Sequence, residues 1–147
     1  MKRGQITFDF LIALMLISVT VVGMISIASG EKANAETFDT AAKLKVFSVD
    51  MRDTVTKVYS IGEGFTVVKS LPMNLQKGES VTVTLNSTSN RVIIVANLND
   101  GTFKVEQNLP VPVYSTTSVK LTPGKETFNV TAAYNETEGR TYVELKG

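Results

Sequence analysis

The stretch FLIALMLISVTVVGMISIAS, residues 10–29, carries no charge at any position. A helix of about 20 residues rises about 30 Å at about 1.5 Å per residue, the hydrocarbon thickness of a bilayer. The polar members of the run are Ser18, Thr20, Ser26 and Ser29. Their hydroxyls can bond back to a carbonyl one turn earlier, which lets a helix carry them through lipid at modest cost. Lys2 and Arg3 precede the run, with Asp9 at its edge. The two cations hold the N-terminus on the cytoplasmic side and send everything after Gly30 outward.

Toward the C-terminus the helical pattern continues. Residues 31–61 contain neither Pro nor Gly, and Leu44, Phe47, Met51, Val55 and Val58 recur along one face of a 3.6-residue period. Lys43, Asp50, Asp53 and Lys57 fall away from that face, and Gly62 and Gly64 supply a stop. The spacing predicts one helix from about residue 5 to residue 61, roughly 85 Å long. No compact domain of 147 residues buries a helix of that length, so residues 5–30 need lipid or other copies of themselves, while residues 31–61 offer an apolar stripe to their own domain. Phe38, Val46 and Val49 project from the opposite side, either as incidental surface residues or as a contact for neighbours.

Beyond residue 61 the composition changes. Residues 65–147 hold 12 Val and 12 Thr but only 3 Ala, and all four prolines lie here. β-Branched residues suit a pleated, half-buried surface. Val81, Val83 and Leu85 alternate with Thr82 and Thr84; the same period of two recurs at Phe103 and Val105, at Phe128 and Val130, and at Val143 and Leu145. Val92-Ile93-Ile94-Val95 reads as a strand buried on both faces. Gln76-Lys77-Gly78, Asn99-Asp100-Gly101, Thr122-Pro123-Gly124 and Glu138-Gly139 read as turns. Pro110 and Pro112 exclude a central strand, so that stretch is an edge or a crossing. The expected architecture is α+β: one long N-terminal helix (about 5–61) followed by a small antiparallel β-sheet or sandwich domain of five to eight strands at 62–147.

The chain has no His, no Cys and no Trp. Cys/His zinc sites, histidine-dependent nucleophiles, Cys-ligated iron–sulfur clusters, His-ligated haem and disulfides are therefore all excluded. From Glu31 onward 13 basic residues balance 13 acidic ones, leaving no basic excess for nucleic acid. Asp50 with Asp53, and Glu136 with Glu138, are carboxylate pairs of the kind that usually decorate a wet surface. Asn99-Asp100-Gly101 lacks the further carboxylates of a calcium loop. Tyr59, Tyr114, Tyr134 and Tyr142 form no stripe that reads as a sugar platform. No catalytic, metal or cofactor site emerges, and no enzymatic activity is expected. Three sequons, at Asn86, Asn129 and Asn135, offer N-glycosylation on the outward side, with their asparagines expected to be exposed.

The first ten residues, Met-Lys-Arg-Gly-Gln-Ile-Thr-Phe-Asp-Phe, do not form an ordinary secretory signal, whose apolar core is shorter and is followed by the cut. They resemble the class III signal peptides of archaeal type IV pilins, in which a prepilin peptidase cuts before the apolar segment. Arg3-Gly4 stand where the family has its basic residue and glycine, and Gln5 where the mature chain begins. Thr7 replaces the usual serine and Asp9 the usual glutamate, each keeping its functional group. The resemblance implies residues 1–4 as leader, 5–30 as the transmembrane and assembly half of the helix, 31–61 as the outer half packing on the head, and 62–147 as an extracellular head. It also implies polymerisation with other pilin copies through the helix, with Phe8, Asp9 and Phe10 at its leading end. An assembly platform with its ATPase, and an N-linked glycan, follow as expected partners. Removing Lys2 and Arg3 strips the charges that oppose extraction of the helix from lipid. Asp9 is expected either to pair with the new α-amino group of Gln5 or to act as a helix N-terminal acid. The competing readings are a secreted β domain cut at Ala33-Asn34-Ala35, an uncleaved single-span anchor, and an archaellin-like filament subunit.

Overall fold

A computed structural model describes the backbone of residues 2–147 and the side chains of residues 8–32 and 35–147. One helix, α1 (Lys2–Ile61), is followed by seven strands: β1 (Thr66–Ser70), β2 (Ser80–Asn86), β3 (Arg91–Leu98), β4 (Gly101–Asn108), β5 (Thr117–Leu121), β6 (Thr127–Asn135) and β7 (Arg140–Lys146). The helix starts three residues ahead of the expected Gln5, since a glycine at position 4 weakens a helix without forbidding it. It ends where expected. Gly62 takes φ +99° and donates its N–H to the Val58 carbonyl at 3.2 Å, a closing geometry that residues with a Cβ rarely adopt.

The chain divides into two compact units, Met1–Asp39 and Thr40–Gly147. The first is helical throughout its described length. The second holds the end of α1 and all the strands, arranged as two antiparallel sheets with orders β1-β6-β7 and β4-β3-β2-β5. The predicted helix stripe is the part of α1 that enters its core: Leu44, Phe47, Met51, Val55 and Val58 are all buried. On the strands the alternation carries the core. Leu121–Val81–Ala96 and Val119–Val83–Ile94 run in register across three strands, and Phe128, Val130, Val143 and Leu145 answer from the smaller sheet. Phe47 meets Phe128 edge to face at 6.5 Å between ring centres, a favoured arrangement of the ring quadrupoles. Buried Ser48 is satisfied, donating to the Lys45 carbonyl (2.7 Å) and accepting from Gln107 Nε2 (3.3 Å).

One expectation needs correcting. The 92–95 segment is not buried on both faces, because Val92 and Ile94 face the core whereas Ile93 and Val95 are only partly covered. Their outer neighbours across the ladder are Thr84 with Glu106 and Thr82 with Lys104, whose stems shield an apolar row without closing it off. The expected turns are present: Leu98 pairs with Gly101 across a two-residue Asn99-Asp100 loop, and Thr122 bridges Lys125 across Pro123-Gly124. The proline segment is a crossing, since residues 109–116 lead from β4 at one edge of the four-stranded sheet to β5 at the other.

Asn90 pins that crossing. Its Nδ2 donates to the carbonyls of Leu109 (2.9 Å) and Val111 (3.2 Å), and its Oδ1 accepts from the Val113 N–H (2.8 Å). It does this from φ +51°, a left-handed conformation that asparagine tolerates better than most residues. All four edge strands carry one lysine each (Lys69, Lys104, Lys120 and Lys146), while β2, β3 and β6 inside the sheets carry none. The result is a pilin-like α+β fold: a long N-terminal helix plus a small antiparallel β domain.

Two predictions follow from this packing. Asn90→Ala should lower unfolding free energy by about 2–4 kcal/mol in urea titration, since three part-buried backbone groups lose their partner. Asn90→Gly should lose nearly as much despite relieving the backbone. Second, hydrogen bonds from Lys104 and then Arg91 hold the Glu106 carboxyl below its ordinary value of 4.5. A lowered folded-state pKa contributes stability above the unfolded value and loses it as pH falls through the folded one. Glu106→Gln should therefore make the decline in stability below about pH 4.5 shallower, read by thermal melts across pH 2–6.

Candidate functional site

The first unit carries the feature with the largest chemical consequence. Fourteen large apolar side chains between Phe8 and Ile27 are each between 44% and 69% exposed. Successive helix residues turn by about 100°, so a run with no polar face leaves hydrocarbon on every side. Ser18, Thr20 and Ser29 turn their hydroxyls back onto the carbonyls of Leu14, Leu16 and Ile25 at 2.8, 2.8 and 2.9 Å. The backbone is satisfied inside the helix and these hydroxyls are satisfied by the backbone, which is what a non-aqueous surrounding demands. By length and composition this helix can cross a membrane, starting near the N-terminus of the chain.

Lys2, Arg3, Gly4 and Gln5, the leader charges and the two residues of the expected cut, lie outside the residues whose side chains are described, as do Ala33 and Asn34. Phe8 and Phe10 are exposed, and so is Asp9 between them. Two residues apart on a helix, the two rings project on different sides. Phe38 and Val46 are also exposed, at 76% and 70%, while Val49 is partly covered.

The three sequons are not brought together. Asn86 ends β2 in the larger sheet, Asn129 lies within the central strand of the smaller one, and Asn135 ends β6. All three asparagines are half-buried, less open than expected, because strand neighbours flank each of them. At the two strand ends the side-chain oxygen caps a turn. Asn86 Oδ1 accepts from the Ser89 N–H at 2.9 Å, and Asn135 Oδ1 from those of Thr137 (3.0 Å) and Glu138 (3.2 Å). Such Asx turns engage the oxygen, whereas a glycan is attached through Nδ2.

Among the described residues no three acidic, His or Cys side chains gather as a metal site. The Asp50 carboxylate is taken up by an ion pair with Lys69, and Asp53 by Arg52. Glu138 pairs with Arg140, and Asn99-Asp100 is a hairpin loop. Asp50, Asp53 and Glu138 are thus each engaged by a neighbouring cation.

Comparison with protein-family models, curated proteins and solved structures finds no match for this chain. Its class is therefore defined by architecture: a helix-anchored β domain.

The apolar helix makes its own prediction. Replacing Val19 and Val22 by lysine should each oppose membrane insertion by about 2.5–3.5 kcal/mol. In carbonate extraction the double variant should move from the membrane pellet to the supernatant, while Val19→Leu with Val22→Leu stays in the pellet.

Proposed function

We propose that the chain is a structural subunit of an archaeal type IV adhesion pilus. It is made as a precursor anchored in the cytoplasmic membrane, with its N-terminus cytoplasmic and its β domain outside. A prepilin peptidase cuts after Gly4. The mature chain, beginning at Gln5, then polymerises through its N-terminal helix into an extracellular filament with the help of an assembly platform and its ATPase.

The observation that carries this reading is the helix exposed on all sides between Phe8 and Ile27. Burying one Val, Leu, Ile, Phe or Met side chain is worth about 1.5–3 kcal/mol, so a run of them cannot be left in water. Lipid covers it before assembly. A bundle of identical helices covers it afterwards, and a repeated head-to-tail contact that does not close generates an open filament. The motif Arg3-Gly4-Gln5 gives the transfer a trigger, because the cut takes away Lys2 and Arg3 and leaves the apolar surface whole. Asp9, close to the new α-amino group, supplies a counter-charge for a neighbouring or its own N-terminus.

N-terminal sequencing of material sheared from the cell surface should begin at Gln5. A start at Glu36 would instead make the product a secreted β domain, and Met1 on a membrane-bound monomer would make it a simple anchor. Gly4→Phe should block both processing and filament formation, and unchanged filaments in that variant would overturn the proposed cut.

A further inference from the structure

The four tyrosines are scattered in sequence, yet two of them line one cavity in the β domain. Tyr114 arrives on the 109–116 crossing, and Tyr142 stands on β7 between Arg140 and Glu144, all three on the face opposite the buried Val143 and Leu145. Asn135 and Glu138 close the cavity from the β6–β7 hairpin. Its volume is about 340 Å³, at the small end of the roughly 300–1,000 Å³ typical of small-molecule sites.

The walls are held independently of any ligand. The Arg140 guanidinium lies 4.1 Å over the centre of the Tyr114 ring and is fixed by Glu138, its Nε donating to Oε2 at 2.6 Å. Glu144 is anchored by Lys146. Thr117 Oγ1 accepts the Leu145 N–H at 3.2 Å, joining β5 to β7 beneath the cavity. Tyr59 on α1 adjoins Tyr114, and burial followed by that neighbour raises its phenol above the ordinary value of 10.0.

The chemistry of the lining selects its ligand. An anion would face two carboxylates and a guanidinium already engaged by one of them. A metal ion would find no group of three acidic ligands. An apolar ligand would find aromatic walls but no aliphatic side chain. A sugar matches what is there: its hydroxyls both donate and accept, toward carboxylate, amide and guanidinium, and its C–H faces pack on aromatic surface. We propose that this cavity is a saccharide-binding site, with Tyr142 and the Tyr114–Arg140 stack as its flat walls and Asn135 and Glu144 as its polar contacts.

The saccharide has two available sources. One is a soluble or surface-borne sugar. The other is a glycan on Asn135 itself, whose side chain lines the cavity. In that case Nδ2 of Asn135 forms a bond to the anomeric carbon of a phosphate-activated glycosyl donor. The anomeric C–O bond breaks, the phosphate leaves with the bonding pair, and the displaced Nδ2 proton passes to base. The proposal goes beyond the filament reading: the site is complete within one β domain, and only the attached-glycan source rests on the outward placement of that domain.

The test uses the full chain in detergent micelles, produced without glycosylation, with methyl glucoside, methyl galactoside and N-acetylglucosamine as probes. One of them should give saturable shifts in the Tyr114 and Tyr142 ring resonances, weakened at least tenfold by Tyr142→Ala and by Glu144→Gln. Should Tyr142→Ala unfold the domain, Glu144→Gln, which keeps shape and removes only charge, decides. In parallel, glycopeptide mass spectrometry on the chain taken from its native cell surface should reveal whether Asn135 carries a glycan. A glycan there whose enzymatic removal shifts the same tyrosine resonances identifies the attached source. Saturable binding without a glycan identifies the free one. If no probe shifts the rings and Asn135 carries nothing that touches them, the proposal fails.

Discussion

Hydrocarbon exposed around the full circumference of a helix is the condition to which the rest of this protein answers. A helix with one apolar stripe is covered by packing that one side against its own domain, as residues 44–58 are here, touching both sheets. A helix apolar on all sides has no such solution within a domain of this size. Its surroundings must be apolar in every direction, which leaves a lipid bilayer or a bundle of like helices. The sequence divides one continuous helix between these two regimes. Before Gly30 there is no polar face, and after Glu31 the charges return and the stripe narrows to one side.

The β domain solves its own problem separately and without covalent aid, since the chain contains no cysteine. Its core is a set of rows in register across the strands, and five helix residues close it. Polar groups that enter it are satisfied, and among the described residues no buried side-chain polar atom lacks a partner. Asn90 does the most with one side chain, fastening three backbone groups of a segment whose prolines cannot join a ladder. A domain held in this way has no disulfide to lose in reducing surroundings.

What the sequence revealed and what it concealed divide along a physical line. Local periodicity was legible. The 3.6-residue stripe from Leu44 to Val58 and the two-residue alternation at Val81, Phe128 and Val143 encode burial directly, and Gly62 and Asn99-Asp100-Gly101 mark where elements stop. Long-range arrangement was not. The partition of seven strands into sheets of three and four depends on which edges meet, and no local pattern states that. The run Val92–Val95 looked doubly buried because β-branched residues suit a half-covered face as well as a closed one. The cavity was invisible for the same reason. Tyr114 reaches Arg140 only because the 109–116 segment carries the chain from one sheet edge to the other. Asn90 was the missed signal that sequence did contain: an asparagine that closes a polar turn directly before a strand is a candidate for left-handed backbone and for side-chain clamping. The cut proposed between Gly4 and Gln5 was legible only as a motif in the first ten residues.

The distribution of lysines acquires meaning when many copies of this domain are held close together. An unpaired strand edge is a template for another strand, and crowding multiplies the encounters. Lys69, Lys104, Lys120 and Lys146 place one lysine on each of the four edge strands, and three of them are ion-paired, with Asp50, Glu106 and Glu144. Joining two such margins would strip water from these charged groups and from their carboxylate partners. Displayed at high density on a surface, these domains would stay discrete beads and would not fuse into a continuous sheet.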